Sequence, residues 1–164
     1  MRTLELFAPD YDASRSTTFH QGARLIGLKD GKIALLHYDL WQLYVLPGGG
    51  IETTETALEA VMRETQEETG YQITNPQETL IIKEHFQDSI WHHTYFMATL
   101  TGPIQPVKWT DEEKKLGITL CFFEPLEALD KLSTTEGNHP YAENMMNREF
   151  LALSEAINHL DIQP

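Results

Sequence analysis

Three glutamates crowd one short stretch of the chain, RETQEETG at residues 63–70. Glu64, Glu67 and Glu68 stand at i, i+3 and i+4, so on a helix their carboxylates share one face. Like charges at this spacing repel by about 0.2–0.5 kcal/mol per pair, so a positive partner among them is expected. Hard divalent cations such as Mg²⁺ bind several carboxylate oxygens and keep some water. The spacing therefore predicts a cation site, the alternative being a solvated acidic face.

The acidic stretch lies within a predicted helix over residues 57–69. Thr56 and Glu59 form a capping-box pattern, and Gly70 suits the position just after the last turn. Projected at about 100° per residue, the side beside the carboxylates is apolar and is predicted to be buried. That side comprises Leu58, Val61, Met62, Thr65 and Thr69.

A glycine-rich loop precedes this helix. The segment Pro47–Gly50 reads PGGG, and glycines let a backbone approach a ligand closely. Arg63 stands one residue before the cluster and is predicted to pair with Glu64 or Glu59. Such a pair would hold a carboxylate in one orientation.

The stretch GGIETTETALEAVMRETQEETGY, residues 49–71, resembles the Nudix box, with Pro47-Gly48 as its usual lead-in. Seven residues stand at the required spacings: Gly49, Glu55, Arg63, Glu64, Glu67, Glu68 and Gly70. Thr65 and Tyr71 depart from the pattern, which prefers aliphatic residues there. Both are packing positions, so the departures have little bearing on the chemistry that the resemblance implies.

The resemblance implies a metal-dependent hydrolase that attacks a nucleoside diphosphate linked to a group X. Mg²⁺, or alternatively Mn²⁺, would be held against the diphosphate. Glu67 and Glu68 would be metal ligands, and Glu64 would be a ligand or the base that activates water. The carbonyl of Gly49 would also reach the metal.

The resemblance assigns supporting roles to two further residues of the box. Arg63 would orient Glu64, and Glu55 would support the site near the start of the helix. Relatives often supply one more carboxylate from a loop before a strand, where this chain has Glu112 and Glu113. These two are candidates for an extra base or ligand, the alternative being a solvated charged turn.

Substrate-selecting residues lie outside the box. Trp41 and Tyr44 come just before the glycine loop, where they could stack on a base or pack in the core. His92 and His93 follow Trp91 in a predicted strand and face opposite sides, so they are not expected to grip one metal.

The segment after the box reads EHFQDSIW and lacks the proline or tyrosine markers that some relatives carry. This favours a nucleoside triphosphate, either intact or damaged, as in MutT-like enzymes. ADP-ribose or a nucleotide sugar is the alternative substrate. A Nudix-fold ligand sensor without turnover is the alternative of another class.

Composition restricts the partners. A net charge of −13 and the lack of a basic stripe argue against nucleic acid as a ligand. Cys121 is the single cysteine, stands in an apolar run and is expected to be a core residue of a protein in a reducing compartment. No long apolar run or signal-peptide pattern is present, so we expect a cytoplasmic protein without membrane contact. A monomer and a homodimer both remain open.

The remaining elements must position the box. Asp30-Gly31 predicts a hairpin between two β-rich runs in residues 23–38, and residues 78–87, 90–101 and 117–125 are further strand candidates. Helices are predicted at PLEALDKL and over residues 142–160, the latter with an apolar stripe that suits docking on the sheet or, alternatively, a dimer seam. We predict a single α/β domain over residues 1–164, a Nudix-like α/β/α sandwich with a mixed sheet.

Overall fold

The computed structural model of the chain describes residues 1–15 and 17–160. Twelve elements follow one another within these residues: β1 (Arg2–Phe7), β2 (Thr18–Lys29), β3 (Lys32–Tyr38), β4 (Leu43–Val45), β5 (Gly48–Gly50), α1 (Ala57–Thr69), β6 (Gln72–Phe86), β7 (Ser89–Thr101), α2 (Asp111–Leu116), β8 (Ile118–Phe123), α3 (Pro125–Thr134) and α4 (Ala142–His159).

The strands form one mixed sheet of eight strands. Its main order is β1-β6-β7-β2-β3-β4, with β5 paired to β2 and β8 paired to β3. The pairs β1–β6 and β2–β7 are parallel, whereas the remaining pairs are antiparallel. The predicted mixed sheet is therefore confirmed.

Helices cover both faces of this sheet. Because side chains alternate along a strand, Ala23 and Leu25 of β2 pack with Ala60 and Val61 of α1 on one face. Ile26, the next residue along β2, belongs to the larger core on the opposite face, beneath α3 and α4. This arrangement confirms the predicted α/β/α sandwich.

Local sequence signals set the ends of several elements. The turn at Asp30 and Gly31 has positive φ angles of 50° and 77°, as a tight two-residue hairpin requires. Helix α1 has the predicted bounds, with both hydrogen bonds of the capping box between Thr56 and Glu59 and with Gly70 in the left-handed region at φ 79°. These predictions are confirmed.

Three expectations were wrong or incomplete. Helix α2 occupies residues predicted as a loop, because Thr110 and Glu113 form a second capping box. Strand β1 was not predicted. Leu58 and Met62 were expected on the buried side of α1, yet they are 37% and 45% exposed.

Helix α4 docks on its own sheet. Met146, Leu153 and Ile157 of its apolar stripe are buried in the larger core, and Phe150 packs against that core while half-buried. The sheet therefore accounts for the stripe. Within the described residues, no helix combines the length and the apolarity needed to cross a membrane.

Candidate active site

The loop that carries the three glycines is pressed between β2 and α1. Strand β5 pairs with β2, and a Cβ added to Gly48 would lie 2.2 Å from the backbone oxygen of Ala23. A Cβ at Gly49 would lie 2.5 Å from the carboxyl carbon of Glu64. Glycine is needed at both positions because the backbone of β2 and the side chain of Glu64 occupy the space.

Three carboxylates converge beside this loop. Glu64 and Glu68 of α1 and Glu113 of α2 each offer one oxygen, and these oxygens lie within 4.8 Å of one another. We call this group the carboxylate cluster. Its third member comes from an element 45 residues further along the chain than Glu68. Of the two candidates at 112 and 113, the structure brings only Glu113 to the cluster. Glu112 instead pairs with Lys115 at 2.8 Å on the exposed side of α2.

The segment between β7 and α2 delivers Glu113 because it is fastened to the end of α1. The backbone N–H of Lys108 donates to the carbonyl of Glu67 at 2.7 Å, and the indole of Trp109 donates to the carbonyl of Glu68 at 3.2 Å. The capping bond of α2 then fixes one oxygen of Glu113, which accepts from Thr110 N–H at 2.8 Å.

Arg63 joins the acidic residues of the box. Its Nε and one terminal nitrogen donate to the two oxygens of Glu55, the latter bond at 3.0 Å. The other terminal nitrogen donates to Glu64 at 2.8 Å and to Glu67 at 3.3 Å. The predicted pair with Glu64 is therefore present.

Two details around Arg63 differ from expectation. The alternative partner Glu59 is wrong, because its carboxylate accepts from the backbone N–H and hydroxyl of Thr56 at the helix start. Glu67 points to Arg63 and lies outside the carboxylate cluster. Its role as a metal ligand stays a prediction.

The negative charges of the carboxylate cluster are only partly compensated by nearby donors and arginines. Burial raises the pKa of Glu68 to about 8, although the N–H of Gly48 donates to this carboxylate at 2.8 Å and Arg24 lies near. Burial also raises the pKa of Glu64, and the bond from Arg63 opposes the shift. In contrast, the Arg63 guanidinium lowers the pKa of Glu55 to about 2. Three closely spaced hard oxygens in this setting fit a divalent cation.

Trp41 and Tyr44 pack on other aromatic side chains of the protein. Trp41 packs on Tyr38 and His139, and Tyr44 packs on His37 and Phe123. Both are half-buried against the larger core. Stacking of either residue on a base stays a prediction.

Cys121 lies on β8 opposite Leu35 and is half-buried, which is more exposed than a core position. Burial raises the pKa of its thiol, so the thiolate needed for nucleophilic attack is disfavoured.

A buried polar network behind the glycine loop escaped the sequence analysis. Glu149 of α4 is fully buried and accepts from the backbone N–H of Leu46 at 2.9 Å and from the Tyr95 hydroxyl at 2.9 Å. Arg148 bonds to Glu149 at 2.8 Å and lies 3.2 Å from Nε2 of His93. The available signal was the position of Glu149, three residues after Met146 and four before Leu153, which puts this charge on the apolar stripe of α4, where it requires a buried partner.

His92 and His93 face opposite ways, as predicted, because His93 is buried in this network and His92 is only half-buried. Burial lowers the pKa of both imidazoles, most strongly that of His93. Trp91 stacks on His20 across the parallel strand pair, with ring centroids 4.3 Å apart.

Comparison with known proteins identifies a family to which the chain is similar. The family model described as "NUDIX domain" matches residues 19–145. An uncharacterized Nudix hydrolase, YvcI of Bacillus subtilis, is 36% identical over 91 residues. That match covers 52% of this chain and 56% of the relative, so the chain matches little more than half of that protein's length.

Several solved structures are similar to this chain in fold. The MutT protein of Bacillus halodurans has a TM-score of 0.56 and 28% identity, over 68% of this chain and 72% of that one. The ORF135 protein of Escherichia coli, at 23% identity, has a TM-score of 0.59 over 86% of this chain and 94% of that one. A UDP-X diphosphatase, at 20% identity, has a TM-score of 0.62 over 90% and 66%. The last two likenesses show the fold alone.

The family match spans most of the chain and includes both the glycine loop and the carboxylates that surround it. The chain therefore belongs to the Nudix hydrolase family.

Proposed function

We propose that the protein is a metal-dependent pyrophosphohydrolase that cleaves a nucleoside diphosphate linked to X. The observation that carries the proposal is the convergence of Glu64, Glu68 and Glu113 within 4.8 Å beside the glycine loop. An acidic protein with a net charge of −13 repels a diphosphate unless cations intervene. The carboxylate cluster is the place where such cations would be held.

The cluster would hold Mg²⁺ or Mn²⁺ through Glu68, Glu64 and Glu113, with Glu67 and the Gly49 carbonyl as further ligands by family correspondence. When bound, the ion supplies positive charge to the diphosphate oxygens and lowers the pKa of water. Arg63 keeps the Glu64 carboxylate in place through its 2.8 Å bond. Glu55 in turn fixes the guanidinium of Arg63 through two bonds.

The base that takes a proton from water is proposed to be Glu64 or Glu113. Glu64 is the better oriented of the two because Arg63 and the Gly49 backbone confine it. Glu113 has one oxygen bound by the Thr110 N–H, which leaves its second oxygen for water or metal. Glu64 and Glu113 are both partly exposed, so either carboxylate would pass the proton to solvent.

A nucleoside triphosphate is the proposed substrate, and ADP-ribose or a nucleotide sugar is the second candidate. The relative from Bacillus halodurans is called a MutT protein, and a fold neighbour is called a UDP-X diphosphatase. The first name, at 28% identity, favours triphosphates. The second likeness, at 20% identity, concerns the fold alone, so the alternative stays the second candidate.

The proposal is tested by product release from triphosphates, ADP-ribose, a nucleotide sugar and a dinucleoside polyphosphate with Mg²⁺. Chelation by EDTA should abolish turnover, and added Mg²⁺ or Mn²⁺ should restore it. Glu68→Gln should lower kcat by at least about 10²-fold, since it removes a charge that faces the cation. Glu67→Gln should do the same if Glu67 is a ligand.

Glu113→Gln and its neighbour Asp111→Asn form a matched pair on α2. Asp111 is exposed and outside the cluster, so only the Glu113 substitution should reduce kcat. Turnover that survives thorough chelation would contradict metal dependence. Metal binding without turnover of any compound would instead favour a ligand sensor.

A further inference from the structure

A short buried segment, Leu46 and Pro47, joins β4 to the glycine loop. Pro47 has no N–H to donate, so the Leu46 N–H is the one backbone donor between the two strands. A buried N–H cannot reach water and needs an acceptor inside the protein. The bond that this N–H makes therefore helps to set the course of the chain as it enters the loop.

The acceptor is the carboxylate of Glu149 on α4, 103 residues away along the chain. Oε2 of Glu149 accepts from the Leu46 N–H at 2.9 Å, and the side chain is fully buried. The other oxygen, Oε1, accepts from the Tyr95 hydroxyl at 2.9 Å and from Nε of Arg148 at 2.8 Å. The two oxygens thus have separate tasks, because Oε1 holds the carboxylate in place and Oε2 holds Leu46.

Contacts from β2 hold the same segment by its carbonyl groups. The Leu25 N–H donates to the Pro47 carbonyl at 2.8 Å, and a terminal nitrogen of Arg24 donates to the Leu46 carbonyl at 3.2 Å. Glu149 binds the N–H of Leu46 instead. The peptide groups on both sides of Leu46 are therefore fixed, one by a residue of the sheet and the other by a residue of α4.

The segment leads directly to the carboxylate cluster. The Gly48 N–H donates to Oε2 of Glu68 at 2.8 Å. Only Pro47, whose ring restricts its φ angle, stands between Leu46 and Gly48. A change in the position of Leu46 is therefore passed on to the bond that holds Glu68.

Stability alone gives no reason for a carboxylate at position 149. Taking a carboxylate and a guanidinium out of water costs free energy, and apolar side chains of similar volume are often as good or better for stability. An apolar residue at 149 would also continue the stripe of α4 between Met146 and Leu153. What such a residue could not supply is an acceptor for the Leu46 N–H.

We propose that Glu149 is a positioning residue for the carboxylate cluster. By holding the Leu46 N–H it sets the glycine loop, and through the Gly48 N–H it keeps Glu68 oriented for a cation. A working site needs its groups held to within about 0.5 Å by such supporting contacts. The inference rests on the proposed function and deepens it, because Glu149 lies on α4 and outside the cluster.

The test uses two double variants. Replacing Glu149 alone would leave the buried charge of Arg148 without its closest partner and destabilise the whole protein. The acceptor variant combines Arg148→Met with Glu149→Gln, and the leucine variant combines Arg148→Met with Glu149→Leu. Both remove the same two buried charges. They differ at the Leu46 N–H, because the amide oxygen of the acceptor variant can accept from it and the leucine side chain cannot.

A third variant, Ile157→Ala, is the control for a general loss of stability. Ile157 is buried on the same helix, eight residues after Glu149 and so about 12 Å further along its axis. Its apolar side chain makes none of the hydrogen bonds that hold the loop. Ile157→Ala should lower Tm and leave the Mn²⁺ affinity of the folded protein unchanged.

Two quantities are measured on the folded proteins, namely hydrogen exchange of the Gly48 amide by NMR without metal and Mn²⁺ affinity by calorimetry. The leucine variant should exchange the Gly48 amide faster than the acceptor variant, because the loop opens more easily. It should also bind Mn²⁺ about tenfold more weakly, at the lower end of the effect of losing a supporting contact at a metal site. With Mg²⁺ and a triphosphate, it should need correspondingly more Mg²⁺ to reach half of its maximal rate.

Wild type provides a further check that does not depend on the folding of any variant. The Leu46 and Gly48 amides should exchange at similar rates, because one opening of the segment releases both. A Gly48 amide that exchanges freely while the Leu46 amide stays protected would contradict the coupling between Glu149 and Glu68.

The inference and the proposed function fail in different ways. Equal Gly48 exchange and equal Mn²⁺ affinity in the two double variants would overturn the positioning role and leave the hydrolytic function in place. An equal loss of Mn²⁺ affinity in Ile157→Ala would also overturn that role, because general destabilisation would then explain the effect. Faster Gly48 exchange in the leucine variant, with no Mn²⁺ bound by wild type, would support the positioning of the loop and overturn the metal-dependent function.

Discussion

Each of the three consecutive glycines of the loop meets a different surface, and replacing each by alanine separates folding from catalysis. At Gly48 the added Cβ would lie 2.2 Å from the Ala23 carbonyl oxygen, and φ is 143°. At Gly49 the Cβ would lie 2.5 Å from the Glu64 carboxyl group. At Gly50 no atom lies within 4 Å of the Cβ position.

The expected costs follow from what must move. For Gly48→Ala the obstacle is backbone, so strain of about 1–3 kcal/mol adds to overpacking of about 1–3 kcal/mol. In a chain of this length each kcal/mol lowers Tm by about 2–4 °C, so Tm should fall by about 5–20 °C. For Gly49→Ala the obstacle is the end of a flexible side chain, which can rotate away with little loss of stability.

The displaced carboxylate is the functional consequence of Gly49→Ala. A normal carbon contact requires Glu64 to move by about 1 Å, and a displacement of that size at a reacting centre costs about 10²-fold in rate. Gly49→Ala should therefore lose about 10²-fold in kcat/KM and keep its Tm within a few degrees. Gly50→Ala should keep both values.

Tm is measured by circular dichroism and kcat/KM by product release with Mg²⁺, under the same conditions for all three variants. The reasoning would be refuted by wild-type kcat/KM in Gly49→Ala, because the carboxylate position would then not matter. It would also be refuted if Gly49→Ala lost as much stability as Gly48→Ala.

Three further predictions concern residues around the site. Glu149→Gln should destabilise the protein by about 3–5 kcal/mol in denaturant unfolding, because Arg148 loses its closest buried counter-charge, whereas exposed Glu143→Gln should change little. Thr110→Ala should lower stability by about 1 kcal/mol, since it removes the hydroxyl that accepts from the Glu113 N–H, and should keep kcat close to wild type, because the Thr110 N–H still holds the Glu113 carboxylate. A large loss of kcat with the fold retained would contradict the role given to that backbone bond. Arg63→Lys should reduce kcat at nearly unchanged Tm, because one ammonium cannot make the two parallel bonds that Glu55 accepts; full activity would contradict its positioning role.

Elements with local signals were predictable from the sequence. Three such signals are the capping box at Thr56, the glycine at position 70 and the Asp30-Gly31 turn. Each depends on residues that are close together in the sequence, so a local sequence pattern is enough to predict its geometry. The box residues that surround Arg63 belong to the same class. Their spacing on one helix brings Glu64 and Glu67 within reach of its guanidinium.

Contacts between distant segments could not be predicted in the same way. The second capping box at Thr110 and Glu113 was visible as a local pattern, and it would have identified α2. That Glu113 meets Glu64 and Glu68 depends instead on the anchoring of Lys108 and Trp109 to the end of α1. A cavity between the sheet and α4 is likewise lined by Glu84 of β6 and Arg148 of α4, which only the sheet order and the docking of α4 bring together.

The position of Glu68 shows that α1 does not have one acidic face and a separate buried face, as the sequence analysis expected. It is 5% exposed and lies within the buried arc, between Ala60 on one side and Val61 and Thr65 on the other. A buried carboxylate opposes folding unless donors or cations compensate it, and here the Gly48 N–H is the only direct donor among the described groups. The fold thus tolerates a costly group at the junction of the glycine loop, Arg24 and the carboxylate cluster. Such a cost is expected where a cation must be held, because the same desolvation that raises the pKa of Glu68 strengthens its attraction for a bound ion.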